Sequence, residues 1–187
     1  MYNHKNDEKN TMKKIVFVIG SLRKDSFNRK VADNAKAMAP ADWHIEEAVI
    51  GDLPLYNQDQ DGEVITSYER VRQQVNQADG VIFFTPEYNR GLPAGLKNLI
   101  DVVSRPSDTK SWAGKKVAIA SATPGRGNAN LAATELQRIA YYQQMIVSTT
   151  MINFSQISKA LDDNGQLTDE FYRKALQQFI EHFDTML

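Results

Sequence analysis

Ile15-Val16-Phe17-Val18-Ile19-Gly20-Ser21-Leu22-Arg23-Lys24-Asp25-Ser26-Phe27-Asn28 is the stretch on which the fold turns. Its first five residues are continuously apolar and mostly β-branched, which reads as a strand covered on both faces, because a half-exposed strand would alternate apolar with polar. A glycine ends the run. Beyond it, Val31, Ala35 and Met38 recur at steps of three and four, the spacing of one helix face. Strand, short polar turn and helix together open an alternating α/β chain.

Working outward, Val81-Ile82-Phe83-Phe84-Thr85 and Val117-Ala118-Ile119-Ala120-Ser121 repeat the buried-strand signature. The weaker runs Trp43 to Ile50 and Met145 to Thr150 fit strands nearer the sheet edges. Helical stripes fall between and after them: Tyr68, Val71, Val75, Ala78; Leu96, Leu99, Ile100, Val103; Ala132, Leu136, Ile139; and Tyr172, Leu176, Phe179, Phe183. Five strands alternating with five helices imply right-handed crossovers and helices on both faces, a doubly wound three-layer α/β/α sandwich around a five-stranded parallel sheet. At 187 residues one domain is expected, from 13 to 187, with a core sufficient without disulfides or a structural metal. Residues 1–12 are too polar to repay the entropy of ordering and are expected to form a disordered extension, with Met12 an alternative start to Met1.

Composition removes several classes of function. Lys+Arg 22 against Asp+Glu 23 leaves a net charge of −1, so there is no electrostatic case for nucleic acid or an anionic membrane. No apolar run approaches a membrane span, and the first residues lack a signal-peptide core, which points to a cytoplasmic protein. The absence of cysteine excludes a thiol nucleophile and thiolate metal sites. His4, His44 and His182 are scattered, so no metal centre is expected, and Gly-x-Ser-x-Gly is absent.

In doubly wound folds ligands bind beyond the carboxyl ends of the strands, so the loops after Ile19, Thr85 and Ser121 become the candidate site. The first gathers hydroxyls, an amide and a guanidinium where unpaired N–H groups of a helix start point outward, a cradle for a terminal phosphate. It has neither the three-glycine dinucleotide fingerprint nor a Gly-Lys-Ser/Thr P-loop. A simpler reading is that Ser26 or Asn28 only caps the helix while Arg23 is solvated. The second, Pro86-Glu87-Tyr88-Asn89-Arg90-Gly91-Leu92-Pro93, is a rigid loop able to present backbone groups and a tyrosine ring to a flat heterocycle, or an ordinary strand-to-helix turn. Small polar residues fill the third, Ser121-Ala122-Thr123-Pro124-Gly125-Arg126-Gly127-Asn128.

Gly20 to Asn28, Pro86-Glu87-Tyr88-Asn89 and Leu96-Lys97-Asn98-Leu99-Ile100-Asp101 with Ser104-Arg105, taken together and in order, closely resemble the NADPH-dependent FMN reductase family, which includes quinone, azo-dye and chromate reductases. The resemblance runs from about Lys13 to Leu187. It implies a flavodoxin-like sheet of strand order 2-1-3-4-5 and bound FMN. The phosphate would lie on Ser21, Leu22, Arg23, Ser26, Phe27 and Asn28, and the isoalloxazine against Pro86, Glu87, Tyr88, Asn89, Ser121 and Thr123. The chain departs from the family pattern where Arg90 and Gly91 replace an aromatic and a serine, where Val102 and Val103 stand in place of a tryptophan, and where Gly125-Arg126-Gly127 replaces a Gly-Gly pair. Arg90, Gly91, Gly125 and Arg126 would then form the substrate rim.

The implied activity is ping-pong transfer of hydride from NAD(P)H through FMN to a small acceptor such as a quinone, azo dye, chromate or free flavin. The flavin carries the redox chemistry, so no catalytic side chain is required. The alternatives are an FMN-binding electron carrier and a flavin-dependent sensor acting on protein partners. The resemblance also implies a homodimer, with a tetramer as the other possibility, and the aromatic pair Tyr141 and Tyr142 are candidates for that interface.

Overall fold

The computed structural model describes residues 12–187, so the expectation for residues 1–11 lies outside the described residues. Strand β1 (Lys13–Ile19) runs through Gly20 and the polar turn into α1 (Phe27–Met38). The chain continues as β2 (Trp43–Glu47), α2 (Thr66–Gln77), β3 (Gly80–Thr85), α3 (Ala94–Val103), β4 (Lys116–Ala122), α4 (Asn130–Tyr142), β5 (Ile146–Val147), β6 (Ile152–Phe154) and α5 (Glu170–Asp184). All strand pairs are parallel, and the order is β2-β1-β3-β4-β5 with β6 also paired to β4. This is the flavodoxin-like arrangement.

Alternation along the three central strands divides the core in two. Val16, Val18, Val81, Phe83, Val117 and Ile119 face one side, where they pack on α2, α3 and α4 through Val71, Val75, Leu96, Leu99 and Leu136. On the other side Ile15, Phe17, Ile82, Phe84 and Ala118 pack on α1 and α5 through Val31, Ala35, Leu176, Phe179 and Phe183. Gly80 permits that second contact, since a Cβ there would stand 2.6 Å from the Phe183 ring. All five helical stripes expected from spacing lie on helices or, for Ala78, on the capping residue of α2.

One expectation is corrected. The fifth strand position, anticipated as a single run over Met145 to Thr150, is filled by two short segments, so the sheet contains six strands. The cause is local. Ser148 N–H still donates to Val117 O at 2.8 Å, but its hydroxyl lies 3.2 Å from Thr150 N and 3.3 Å from Thr150 O, a side-chain turn that competes with the ladder. Pairing with β4 resumes at Ile152.

Candidate functional site

The loops after β1, β3 and β4 lie together at the carboxyl end of the sheet, as their register requires. Gly20 N–H donates to Phe84 O at 2.8 Å, and a Cβ on Gly20 would lie 3.2 Å from Leu96 and 3.3 Å from Pro86. A side chain there would wedge the first two loops apart. Ser21, buried, joins them directly, with its Oγ 3.1 Å from the hydroxyl of Tyr88.

At the start of α1, Ser26 is the N-cap and its hydroxyl accepts from Arg29 N at 3.4 Å. Asn28 is 3% exposed and does not face solvent: Nδ2 donates to Ala122 O at 3.0 Å, and Oδ1 accepts from Ala122 N at 3.1 Å. Its amide therefore fastens α1 to the end of β4. Capping by Ser26 and bracing by Asn28 narrow the expected cradle to the hydroxyls of Ser21 and Ser26 and the backbone N–H groups of the loop and first turn. Those of Phe27 and Asn28 meet no acceptor among the described residues, as first-turn amides do not within a helix. Leu22 and Arg23 are exposed beside them. The Arg23 guanidinium donates to Asp25 O and lies 5.2 Å from the Phe27 ring centre. Lys30 pairs with Asp25 at 2.7 Å, and that contact holds the Asp25 carboxyl below its ordinary range.

The second loop is a tight hairpin. Tyr88 and Gly91 exchange backbone hydrogen bonds of 3.1 and 3.0 Å, while Asn89 and Arg90 between them have φ of 51° and 66°. Two left-handed central residues are the mark of a type I′ turn, a conformation for which asparagine is suited and arginine is not. Tyr88 is half-exposed above the cradle and Pro86 is buried beneath it. Arg90 points outward with 76% of its side chain exposed, its Nη1 3.6 Å from Glu87 Oε1. Glu87 itself turns inward, only 12% exposed, and accepts from the backbone N–H of Leu131 at 3.0 Å.

In the third loop Ser121 is fully buried, its Oγ 3.0 Å from Asn128 O and 2.6 Å from Asn153 Oδ1. Thr123 is tied by its backbone to Phe154 and Ile157, and its hydroxyl accepts from Gly125 N. Gly125, Arg126 and Gly127 are exposed. The arrangement is thus a rim of exposed backbone, one tyrosine and three guanidinium groups over a buried polar floor.

Two contributors were not anticipated from sequence. Glu135, on α4, accepts from Leu92 N at 2.7 Å, and Asn153, on β6, holds Ser121. The only signal for Glu135 was its place beside the Ala132-Leu136-Ile139 stripe, and Asn153 carried none, since its partner is brought near by the sheet. A separate cleft of about 630 Å³ lies at the other end of the sheet, bordered by Ser104, Arg105, Trp112 and Tyr142. The C-terminal turns of α3 and α4 border it, so those helices bring it none of the unpaired first-turn N–H groups that the first loop presents. Among the described residues no helix is long and apolar enough to cross a membrane, and no group of three or more His, Asp or Glu is placed to hold a metal.

Residues 13–158 match the family model described as NADPH-dependent FMN reductase. Over 171 residues the chain is 36% identical to a 2-hydroxy-1,4-benzoquinone reductase from Burkholderia sp, covering 91% of this chain and 93% of that protein. A quinone reductase from Pseudomonas putida is 37% identical over 171 residues, with 90% and 91% covered. The solved structure of FerB, a flavoenzyme NAD(P)H:(acceptor) oxidoreductase from Paracoccus denitrificans, superimposes with a TM-score of 0.84 at 33% identity, covering 91% of this chain and 94% of that one.

Proposed function

The chain belongs to the NADPH-dependent FMN reductase family, and from that premise we propose that the three clustered loops hold FMN and reduce quinone-type acceptors at the expense of NAD(P)H. It is an FMN-dependent NAD(P)H oxidoreductase. The observation that carries the site assignment is the cradle: first-turn amides without acceptors, beside the buried hydroxyls of Ser21 and Ser26 and with Arg23 at the rim. Those donors suit a phosphate monoester, whose dianion takes several charge-assisted hydrogen bonds. FMN, when bound, supplies hydride and electron transfer, so the protein's tasks are position, polarity and access.

Ser21, Leu22, Arg23, Ser26, Phe27 and Asn28 would take the phosphate, Asn28 through its backbone because its amide is already committed to Ala122. Pro86, Glu87, Tyr88, Asn89, Ser121 and Thr123 would shape the ring site. Ser121 and Glu87 act from beneath through the contacts described above, while Tyr88 and the hairpin backbone supply the exposed surface. Fixed N–H dipoles there would stabilise negative charge as it builds up on the ring, without reorganising, which is how a preorganised site favours reduction. Arg90, Gly91, Gly125 and Arg126 form the rim over which NAD(P)H and the acceptor enter in turn. One shared face predicts ping-pong kinetics. A homodimer, with a tetramer as the next possibility, a single domain over 13–187 and a cytoplasmic setting complete the reading.

Titration with FMN and with riboflavin tests it. The phosphate's charge-assisted bonds are each worth about 1.5–3 kcal/mol, so FMN should bind at least tenfold more tightly. Equal affinities would remove the cradle. Anaerobic NADPH should bleach the FMN-loaded protein within seconds, and a flavin that stays yellow would leave an electron carrier or sensor instead.

A further inference from the structure

Two carboxylates bind the second and third loops to each other in opposite directions. Helix α4 begins without a cap of its own: Ala129 occupies the N-cap in a left-handed conformation, makes no side-chain hydrogen bond, and no acidic residue follows in the first turn. The missing acceptor comes from the other loop, where Glu87 Oε2 takes the Leu131 N–H at 3.0 Å. Leu131 is the second helical residue, the position a normal cap serves, and a carboxylate at a helix N-terminus is favourably placed in the helix field. In return α4 sends Glu135 back, whose Oε2 accepts from Leu92 N at 2.7 Å and would lie 3.3 Å from a Cβ on Gly91. Glu87 therefore holds the start of α4 from one end of the hairpin, and Glu135 holds the other end from one turn along α4.

We propose that Glu87 and Glu135 form a reciprocal clamp that makes the Pro86–Pro93 hairpin and the 121–130 loop one rigid rim, with both glutamates acting as positioning residues. For its bearing on substrates the proposal rests on the flavin reading above; for the clamp itself it does not. Arg90 is part of the arrangement, since the carboxylate that caps α4 is also its ion-pair partner. Because each glutamate secures an amide that the other does not touch, coupling has a signature that simple local bracing lacks.

Hydrogen exchange of the Leu92 and Leu131 amides, on FMN-free protein, reads that signature. Glu135→Ala is expected to speed exchange at Leu131 at least fivefold, although Glu135 makes no bond there, and Glu87→Ala to do the same at Leu92. Glu135→Gln and Glu87→Gln, which keep a carbonyl acceptor, should recover most of the protection and serve also if an alanine variant unfolds. If each variant affects only its own amide, the clamp is refuted. In the FMN-loaded enzyme, Glu135→Ala should raise KM for NADPH and for a neutral quinone by the same factor of about five, with kcat within twofold. Unchanged KM values would refute the positioning role. Failure of the protein to take up FMN would refute the proposed function, while the exchange experiment would still decide the clamp.

Discussion

Asn28 shows how one side chain can be committed before any ligand arrives. It answers both backbone groups of Ala122, 94 residues away, from a site 3% exposed. Replacement by alanine would remove both buried bonds and leave the Ala122 C=O without the Asn28 amide, a loss of about 1–3 kcal/mol expected in urea unfolding of the FMN-free protein. Arg90 is the opposite case, held only by a 3.6 Å pair with Glu87 and otherwise in solvent. Exposed pairs are worth about 1 kcal/mol or less, so Arg90→Ala should raise KM for NADPH about two- to fivefold and leave KM for a neutral quinone and the FMN affinity unchanged. KM values for NADH, NADPH and quinone all unchanged from the unsubstituted protein would show that Arg90 has no substrate role. Sequence marked both positions, because polar residues between a strand and a helix stand out. Which way the Asn28 amide turns was not legible, since Ala122 reaches it only once β4 is in place.

Among the elements, α5 illustrates how electrostatics finishes what periodicity begins. Its stripe was readable; its start is fixed by Asp169, whose Oδ1 accepts from Tyr172 N at 2.9 Å. Its end is secured by Asp184, which receives Lys13 Nζ at 2.6 Å and Trp43 Nε1 at 2.7 Å. Partial burial works to raise the Asp184 carboxyl, but these hydrogen bonds and the Lys13 charge outweigh it and hold the group below the ordinary carboxylate range. Lys13 is correspondingly raised, chiefly by its hydrogen bond to Asp184. A carboxyl depressed in the folded state stabilises fully above its unfolded pKa of about 4, and the contribution vanishes as pH falls through the folded value. Asp184→Asn should therefore cost about 1–3 kcal/mol at pH 7 and progressively less as pH falls below about 4, as measured by thermal unfolding across pH. A constant deficit at every pH would mean that packing, not charge, is what the substitution removes. Neither Lys13 nor Trp43 could be matched to Asp184 in advance, because the pairing crosses 171 and 141 positions of chain.

The whole molecule follows most closely from the sequence, because continuous apolar strands and amphipathic helices in strict alternation leave few ways to bury both. Association is less determined. Tyr141 and Tyr142 are 81% and 83% exposed at the end of α4, more aromatic surface than solvent favours. Light scattering at micromolar concentration should return twice the chain mass, and serine at both positions should shift the protein toward the monomer. A monomeric wild-type mass would overturn the homodimer. The division of the outermost strand by Ser148 bears on a different kind of association. Its two segments contribute two and three residues, separated by the side-chain turn at Ser148 that interrupts the ladder. An incoming extended chain adds to a sheet by zipping along an uninterrupted row of amides and carbonyls. Here the row stops before a strand could register on it. The hydroxyl that spoils the ladder thus also denies a second chain a continuous edge to template on at that margin.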